Sequence, residues 1–288
     1  MIWIGLAIMI ISQAATIAKI EPFWSWNTPI AWTGFLIFAD AIVWRARRDS
    51  WIRSAPLEFA LLALVSIPLW MLFEGYNRVI RNWYYVGLPE NPALRYFGYA
   101  WSFATIWPAL FIGAELIAVW RKRKAPLKRG PTYDVGGQPP YDVVGRRFSG
   151  AEILSIAAGA LMLASPFFAS PAVAQYLAAP VWLGFIFLLD PVNAHLGGES
   201  LWSDWRAGRR DRLINLMLSG FLCGVLWELW NYWSRAKWIY TVPIMENLKI
   251  FEMPVPGYFG FPAFAFECFT MYVFTRRLFT RGGRAIAL

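Results

Sequence analysis

The apolar stretch Trp32-Thr-Gly-Phe-Leu-Ile-Phe-Ala-Asp40 recurs 150 positions later as Trp182-Leu-Gly-Phe-Ile-Phe-Leu-Leu-Asp190. Three further matches follow in the same order along the chain. They are Asp49-Ser50 with Glu199-Ser200, Glu74-x-x-Asn77-x-x-x-Arg81 with Glu228-x-x-Asn231-x-x-x-Arg235, and Tyr96-Phe97-Gly98-Tyr99 with Tyr258-Phe259-Gly260-Phe261. Four matches in one order indicate a tandem duplication.

The composition indicates a membrane protein. Of the 288 residues 58% are hydrophobic and only 16% are charged, whereas soluble domains carry about 25% charged residues. A helix that crosses the hydrocarbon needs roughly 20 mostly apolar residues. Eight stretches qualify: Ile2–Ala18, Pro29–Trp44, Leu57–Gly75, Leu94–Trp120, Ala151–Phe168, Ala172–Leu189, Leu213–Trp233 and Gly257–Phe274. The predicted fold class is therefore all-α, a polytopic bundle of about eight transmembrane helices arranged as two tandem four-helix repeats.

The predicted organisation has three parts: repeat A at 1–120, a basic, Pro/Gly-rich cytoplasmic linker at 121–150, and repeat B at 151–288. Each repeat holds four spans, an even number, so both repeats enter the membrane in the same direction. Such parallel repeats are related by a pseudo-twofold axis along the membrane normal, and function is expected at their interface.

The basic residues predict the orientation. An N-terminus in the cytoplasm puts 20 of the 27 Lys and Arg residues on the cytoplasmic side, which favours cytoplasmic termini in an inner cell membrane. The net charge of +9 is then explained by topology and by contact with anionic lipid headgroups, without nucleic acid. The sequence is compatible with a membrane-protein partner and with a homo-oligomer, and it does not decide between them.

A polar stripe occurs once in each repeat, at the outer end of a span. Its residues are spaced i, i+3 and i+7, so they share one helix face. They are Glu74, Asn77 and Arg81 in repeat A and Glu228, Asn231 and Arg235 in repeat B. A structural role predicts that Glu74 pairs with Arg235, and Glu228 with Arg81, across the twofold axis. A functional role predicts a substrate-binding pocket, because charges at membrane depth are costly unless they are paired or used.

Aromatic residues surround the two stripes, among them Trp83, Trp238 and Tyr240. An interfacial aromatic belt and a binding cage are both consistent with this pattern.

The repeats diverge near their ends, where repeat B carries two acidic residues that have no acidic counterpart in repeat A. Glu252 lies in an insertion, and Glu267 lies near the middle of the eighth span, where repeat A has Thr105. Duplicated scaffolds often keep their shape in both halves and their chemistry in one. Glu267 and Glu252 are therefore the candidate catalytic acid/base residues, and a neutral, proton-donating Glu267 is a hypothesis that infrared titration tests.

Metal and cofactor chemistry find little support in the sequence, and we predict neither a metal site nor a cofactor. The chain has one His and two Cys, which excludes bis-His haem and multi-Cys zinc sites. Asp190, His195 and Glu199 lack a standard ligand spacing, and Asp190-Pro191 with Gly197-Gly198 predicts a helix exit and a turn. We expect Asp40 and Asp190 to bind backbone groups or cytoplasmic Arg side chains.

A local resemblance involves the acids and the aromatic rings. Aromatic-rich spans with carboxylates near Pro are similar to carotenoid cyclase domains, in which acids protonate a polyene. Those domains carry Pro-x-Glu-Glu, whereas this chain has Phe251-Glu252-Met253-Pro254. The resemblance covers a few residues and assigns no family.

Three functions follow as alternatives. The first is a pocket in the outer half of the repeat interface that binds or modifies an apolar lipid or isoprenoid-type molecule. The second is a non-catalytic subunit of a larger membrane complex, and the third is a proton-coupled transporter that uses Glu267. A ligand-sized cavity between the repeats with Glu267 on its wall favours the first, whereas a packed interface closed by Glu–Arg pairs favours the structural role.

Overall fold

The computed structural model describes residues 1–121, 146–280 and 283–287. The chain is all-α and 74% helical. The helices of the first half are α1 (Ile2–Ile17), α2 (Phe23–Arg47), α3 (Trp51–Ser54), α4 (Pro56–Ile80), α5 (Pro92–Ala104) and α6 (Ile106–Arg121). Those of the second half are α7 (Gly150–Phe168), α8 (Pro171–Ala174), α9 (Ala178–His195), α10 (Leu201–Arg206), α11 (Asp211–Trp233) and α12 (Gly260–Phe279).

The described part of the chain also contains four short strands. They are β1 (Trp83–Val86), β2 (Lys237–Tyr240), β3 (Lys249–Ile250) and β4 (Met253–Pro254), and a 3-10 helix at Val255–Phe259 leads into α12. β1 pairs with β2, and β3 pairs with β4, both antiparallel. The ribbon of β1 and β2 links the two halves of the chain, and the end of the bundle that carries it is called the ribbon end below.

Among the described residues, five helical segments are long and apolar enough to cross a membrane. They are Phe23–Arg47, Pro56–Ile80, Pro92–Arg121, Gly150–Phe168 and Asp211–Trp233, with Ile2–Ile17 as a shorter apolar helix. Helices also occupy the positions of the sixth and eighth predicted spans, but they are not among these five.

The predicted boundaries need several corrections. The predicted span Leu94–Trp120 is interrupted at Thr105, because the ring of Pro108 clashes with the carbonyl group four residues earlier and offers it no N–H. The predicted span Ala172–Leu189 is shifted, since α8 is a single turn and α9 begins at Ala178. The predicted helix exit at Asp190-Pro191 is wrong, because α9 continues to His195 and the chain turns at Gly197 with φ of 71°.

Close helix pairs are built on glycines in both halves. α1 packs along α2 and α7 packs along α9. A Cβ atom on Gly5 would lie 2.6 Å from the carbonyl oxygen of Gly34, and a Cβ atom on Gly159 would lie 2.7 Å from that of Gly184. Small residues let helix backbones approach closely, which is a common way to pack helices in membranes.

Replacing Gly159 by Ala is expected to destabilise the protein by about 1–3 kcal/mol, because the new methyl group would lie 2.4 Å from the backbone nitrogen of Leu188. Thermal unfolding in detergent, followed by far-UV circular dichroism, measures the change. Gly75→Ala is the matched control: a Cβ atom there meets nothing within 4 Å, so the variant should unfold at or above the wild-type temperature. Equal melting temperatures for Gly159→Ala and Gly75→Ala would contradict this packing.

The core lies between the helices of the two halves. α6 packs against α2, α4 and α11, and α12 packs against α9 and α11. Trp107 on α6 is fully buried, and its indole N–H donates to the carbonyl of Cys268 on α12 at 2.8 Å. This bond joins the two halves directly.

Residues 283–287, which we call the strap, close the end of the bundle opposite the ribbon end. The strap's polar backbone groups bind charged side chains from both halves: the Arg284 N–H donates to Glu58 at 3.0 Å and the Ile286 N–H donates to Glu199 at 3.1 Å. The Arg284 guanidinium binds Glu115 at 3.1 Å and Asp49 at 2.6 Å. Ile286 is fully buried, so the strap forms part of the core at this end.

Two buried aspartates organise this same end. Asp40 accepts hydrogen bonds from the Ser50 hydroxyl at 3.0 Å and the Ile52 N–H at 2.9 Å. Asp190 accepts from the Ser200 hydroxyl at 2.8 Å and the Trp202 N–H at 3.0 Å. The expectation that both aspartates bind backbone groups is confirmed.

Candidate functional site

The β-ribbon is held at each side by an asparagine from the preceding helix. The Asn77 side chain donates to the Trp83 carbonyl at 2.8 Å and accepts from the Trp83 N–H at 3.2 Å. Asn231 makes the same pair of bonds with Trp238, at 2.8 and 2.9 Å. Both predicted asparagines therefore position the aromatic residues of the ribbon.

Glu74 collects hydrogen bonds from three aromatic side chains. Its Oε1 accepts from the indole N–H of Trp70 at 2.9 Å, the indole N–H of Trp83 at 3.2 Å and the hydroxyl of Tyr85 at 2.5 Å. Burial, and then the nearby Glu74 carboxylate, raise the pKa of Tyr85 well above its usual value, so this phenol stays a neutral donor.

Glu228 occupies the corresponding place in the second half. It is fully buried and accepts a hydrogen bond from Tyr240 at 3.0 Å, and Tyr240 accepts one from the Trp238 indole at 2.8 Å. Burial, and then the Glu228 carboxylate, raise the pKa of Tyr240 well above its usual value. Within the part of the chain that the structure describes, Oε2 of Glu228 has no hydrogen-bond partner.

The rings held by these acids line a cavity of about 490 Å³ at the ribbon end. Both halves of the chain contribute to its wall. Its aromatic lining comprises Trp26, Trp70, Trp83, Tyr85, Tyr99, Phe103, Tyr176, Trp182, Trp227, Trp238, Tyr240, Phe259, Phe261 and Phe264. A concave, mostly apolar site with a few polar groups is the usual form of a small-molecule pocket.

Trp182 connects aromatic rings of both halves in this wall. It stacks on Phe73 with 5.0 Å between ring centroids and meets Phe264 edge to face at 5.1 Å. Its centroid also lies 6.3 Å from that of Trp83. The equivalent residue of the first stretch, Trp32, is 1% exposed and packs against Trp227 and Trp230 instead.

The predicted pairs Glu74–Arg235 and Glu228–Arg81 are wrong. Arg235 lies beyond the end of α11 and contacts Glu21 at 3.5 Å, with both side chains about half exposed. Arg81 ends α4 in a left-handed conformation with φ of 53°, so it has left the helix face of Glu74. The two halves are joined by the ribbon and not by ion pairs between the stripes.

The two candidate catalytic acids, both in the second half of the chain, lie outside the cavity wall. Glu267 is fully buried on α12, where its Oε1 accepts the Phe185 N–H of α9 at 3.2 Å, and its Oε2 has no hydrogen-bond partner among the described residues. Glu252 forms an ion pair with Lys237 at 2.5 Å. Of these residues only Lys237 lines the cavity.

One wall of the cavity was missed by the sequence reasoning. α5 turns Arg95, Gly98, Tyr99, Ser102 and Phe103 toward the cavity. Their spacing is that of one helix face, which is the signal that could have identified them. The sequence of α5 predicts a membrane span and a repeat match at Tyr96–Tyr99, but neither prediction places this face on a cavity.

His195 lies at the strap end, far along α9 from the cavity. Its Nε2 lies 3.4 Å from Glu152, and its ring packs against that of Phe148 at a tilt of 32°, with 3.9 Å between centroids. Across residues 1–121, 146–280 and 283–287, no group of three or more His, Cys, Asp and Glu residues could hold a metal ion.

Comparisons with family models, with curated proteins and with solved structures find no match to this chain. The functional argument therefore rests on the geometry of the cavity.

Proposed function

We propose that the chain is a multi-pass membrane protein that binds an apolar lipid or isoprenoid-type molecule in the cavity at the ribbon end. The observation that carries the proposal is the cavity itself: about 490 Å³, walled by aromatic rings from both halves. Aromatic side chains offer a large apolar contact area with little rotamer freedom to lose on binding. Such a wall suits a flexible or flat hydrocarbon.

A tandem duplication is part of the proposal, and equivalent contacts support it. The Asp40–Ser50 bond has its counterpart in Asp190–Ser200, at an offset of 150 residues. The antiparallel ribbon pairs Trp83 with Tyr240 and Tyr85 with Trp238, an exchange of equivalent residues that a twofold axis through the ribbon would produce. The proposed ligand would then lie across this axis.

The proposed topology has eight spans in an inner cell membrane. The ribbon end lies on the outer side of this membrane, and the strap end lies on the cytoplasmic side. The excess of Arg residues near the strap end favours this orientation. Anionic lipid headgroups are the proposed partners of those basic residues. The linker at 121–150, most of which lies outside the described residues, would join the repeats on the same side.

Binding is favoured over catalysis by the positions of the acids. Glu267 contacts a backbone N–H of α9, and Glu252 is neutralised by Lys237, so neither carboxyl is on the cavity wall. A general acid must come within hydrogen-bond reach of the atom that it protonates. The proposed role of Glu74 and Glu228 is to fix the orientation of the tryptophan and tyrosine rings.

A quenching titration tests this proposal. A long-chain alcohol brominated along its chain should quench the tryptophan fluorescence of the purified protein in nanodiscs, because bromine quenches rings that it touches. Trp182→Ala is expected to raise the ligand concentration at half-maximal quenching at least tenfold, since its ring lines the cavity and packs against Trp83 and Phe264 of the wall. Ala263→Trp fills the cavity without removing any ring, so it should give the same loss.

The matched control is Trp3→Ala, because Trp3 is 79% exposed on α1 and does not line the cavity. This variant should keep the wild-type affinity. Unchanged quenching in both Trp182→Ala and Ala263→Trp would refute binding in the cavity.

A further inference from the structure

The cavity has two sides of different chemistry at equivalent positions. On the side of α2 and α5 its lining includes Thr28, Arg95 and Ser102. On the side of α9 and α12 the equivalent positions are Ala178, Gly257 and Phe264, which also line it. One side is therefore polar and cationic, and the other is apolar.

Arg95 is the cation of the polar side. Its Nε donates to the Pro89 carbonyl at 2.9 Å and its Nη2 donates to the Glu90 carbonyl at 3.4 Å, so the loop before α5 holds the guanidinium in place. Within the described ranges it has no carboxylate partner. The other lining cation, Lys237, is neutralised by Glu252 at 2.5 Å.

A second polar group on this side has no hydrogen-bond partner among the described residues. Thr28 is 7% exposed, and its hydroxyl makes no hydrogen bond among the described residues. Buried hydroxyl groups normally bind something, because an unmade hydrogen bond costs free energy. A guanidinium without a carboxylate partner and an unbonded hydroxyl, both on the lining of the same cavity, suit an anionic oxygen.

We infer that the ligand is an amphiphile with an anionic head, a phosphate or a carboxylate, that binds at Arg95 on the side of α2 and α5 while its hydrocarbon chain occupies the side of α9 and α12. This inference rests on the proposed binding function and adds the charge and the direction of the ligand. The carboxylates of Glu74 and Glu228 do not oppose the head directly, because neither lines the cavity.

Equilibrium binding to the full chain in zwitterionic nanodiscs tests the inference with three probes of one chain length. Hexadecyl phosphate and palmitate carry anionic heads, and hexadecanol is their neutral counterpart. We expect at least one of the two anions to bind about tenfold more tightly than hexadecanol, and the tighter of the two identifies the head as a phosphate ester or a carboxylate.

The variant Arg95→Gln should remove this preference while it keeps the affinity for hexadecanol. Arg78→Gln is the control, because Arg78 is exposed near the same end of the bundle and does not line the cavity; it should keep the preference. Equal binding of all three probes, or a preference that survives Arg95→Gln, would overturn the inference and leave the apolar site standing. Absence of binding by every probe would overturn the proposed function as well.

Discussion

Replacing Arg212 by Met is expected to destabilise the protein by about 3–5 kcal/mol, because two buried carboxylates, Glu199 and Asp204, each lose one of their two arginine partners. Arg212 is 2% exposed. It donates to Glu199 at 2.6 Å, forms an ion pair with Asp204, and donates through Nε to the Ile286 carbonyl of the strap at 3.0 Å. Met has a similar volume, so the loss reports on charge and hydrogen bonds more than on packing.

Unfolding in mixed micelles, followed by circular dichroism, measures this change. Arg206→Met is the matched control, because Arg206 is exposed on the neighbouring α10, and it should change the stability by no more than about 0.5 kcal/mol. Adding Asp204→Asn to Arg212→Met should restore part of the stability, since it removes a buried charge whose other arginine partner, Arg209, is half exposed. If Arg212→Met lowers the free energy of unfolding by less than about 1 kcal/mol, the contacts of Arg212 with Glu199, Asp204 and the strap do not stabilise the fold as we expect.

Replacing Trp107 by Ala is expected to lower the free energy of unfolding by about 3–5 kcal/mol, independently of the Arg212 substitution. The indole fills the junction between α6 and α12, where its centroid lies 5.9 Å from that of Phe264 and 6.5 Å from that of Phe73. The substitution leaves a cavity and also removes the bond to the Cys268 carbonyl. Both losses weaken the contact between the two halves of the chain.

The same unfolding measurement, applied to Trp120→Ala, supplies the control. Trp120 lies on the same helix but is 64% exposed, so its loss should change the stability by no more than about 0.5 kcal/mol. Similar losses of stability for Trp107→Ala and Trp120→Ala would contradict a stabilising role for the junction between α6 and α12.

Much of the helical architecture could be predicted from the sequence. Apolar stretches of about 20 residues located helices in both halves, because burial and backbone hydrogen bonding depend on composition over a whole segment. The helix ends were harder to predict, because they depend on single residues. Pro108 breaks the helix at Thr105, Gly75 does not end α4, and Pro191 does not end α9.

The site could be predicted only in part. The repeated Glu and Asn residues of the stripes pointed to the ribbon end, where the structure places Asn77 and Asn231 against Trp83 and Trp238. The partners of Glu74 could not be predicted, since a spacing of i, i+3 and i+7 assumes a helix that continues to Arg81. The strap could not be predicted either, because a segment of five residues is too short to show a periodic pattern.

Native mass spectrometry of the protein purified from its own membranes tests the central claim most directly. The account predicts that the wild-type chain carries one apolar or amphiphilic molecule, which stays bound when the detergent is gently removed. The Ala263→Trp variant, with its cavity filled, should be recovered without that molecule. Recovery of the same adduct in the same amount from both proteins, or of no adduct from the wild type, would contradict the account.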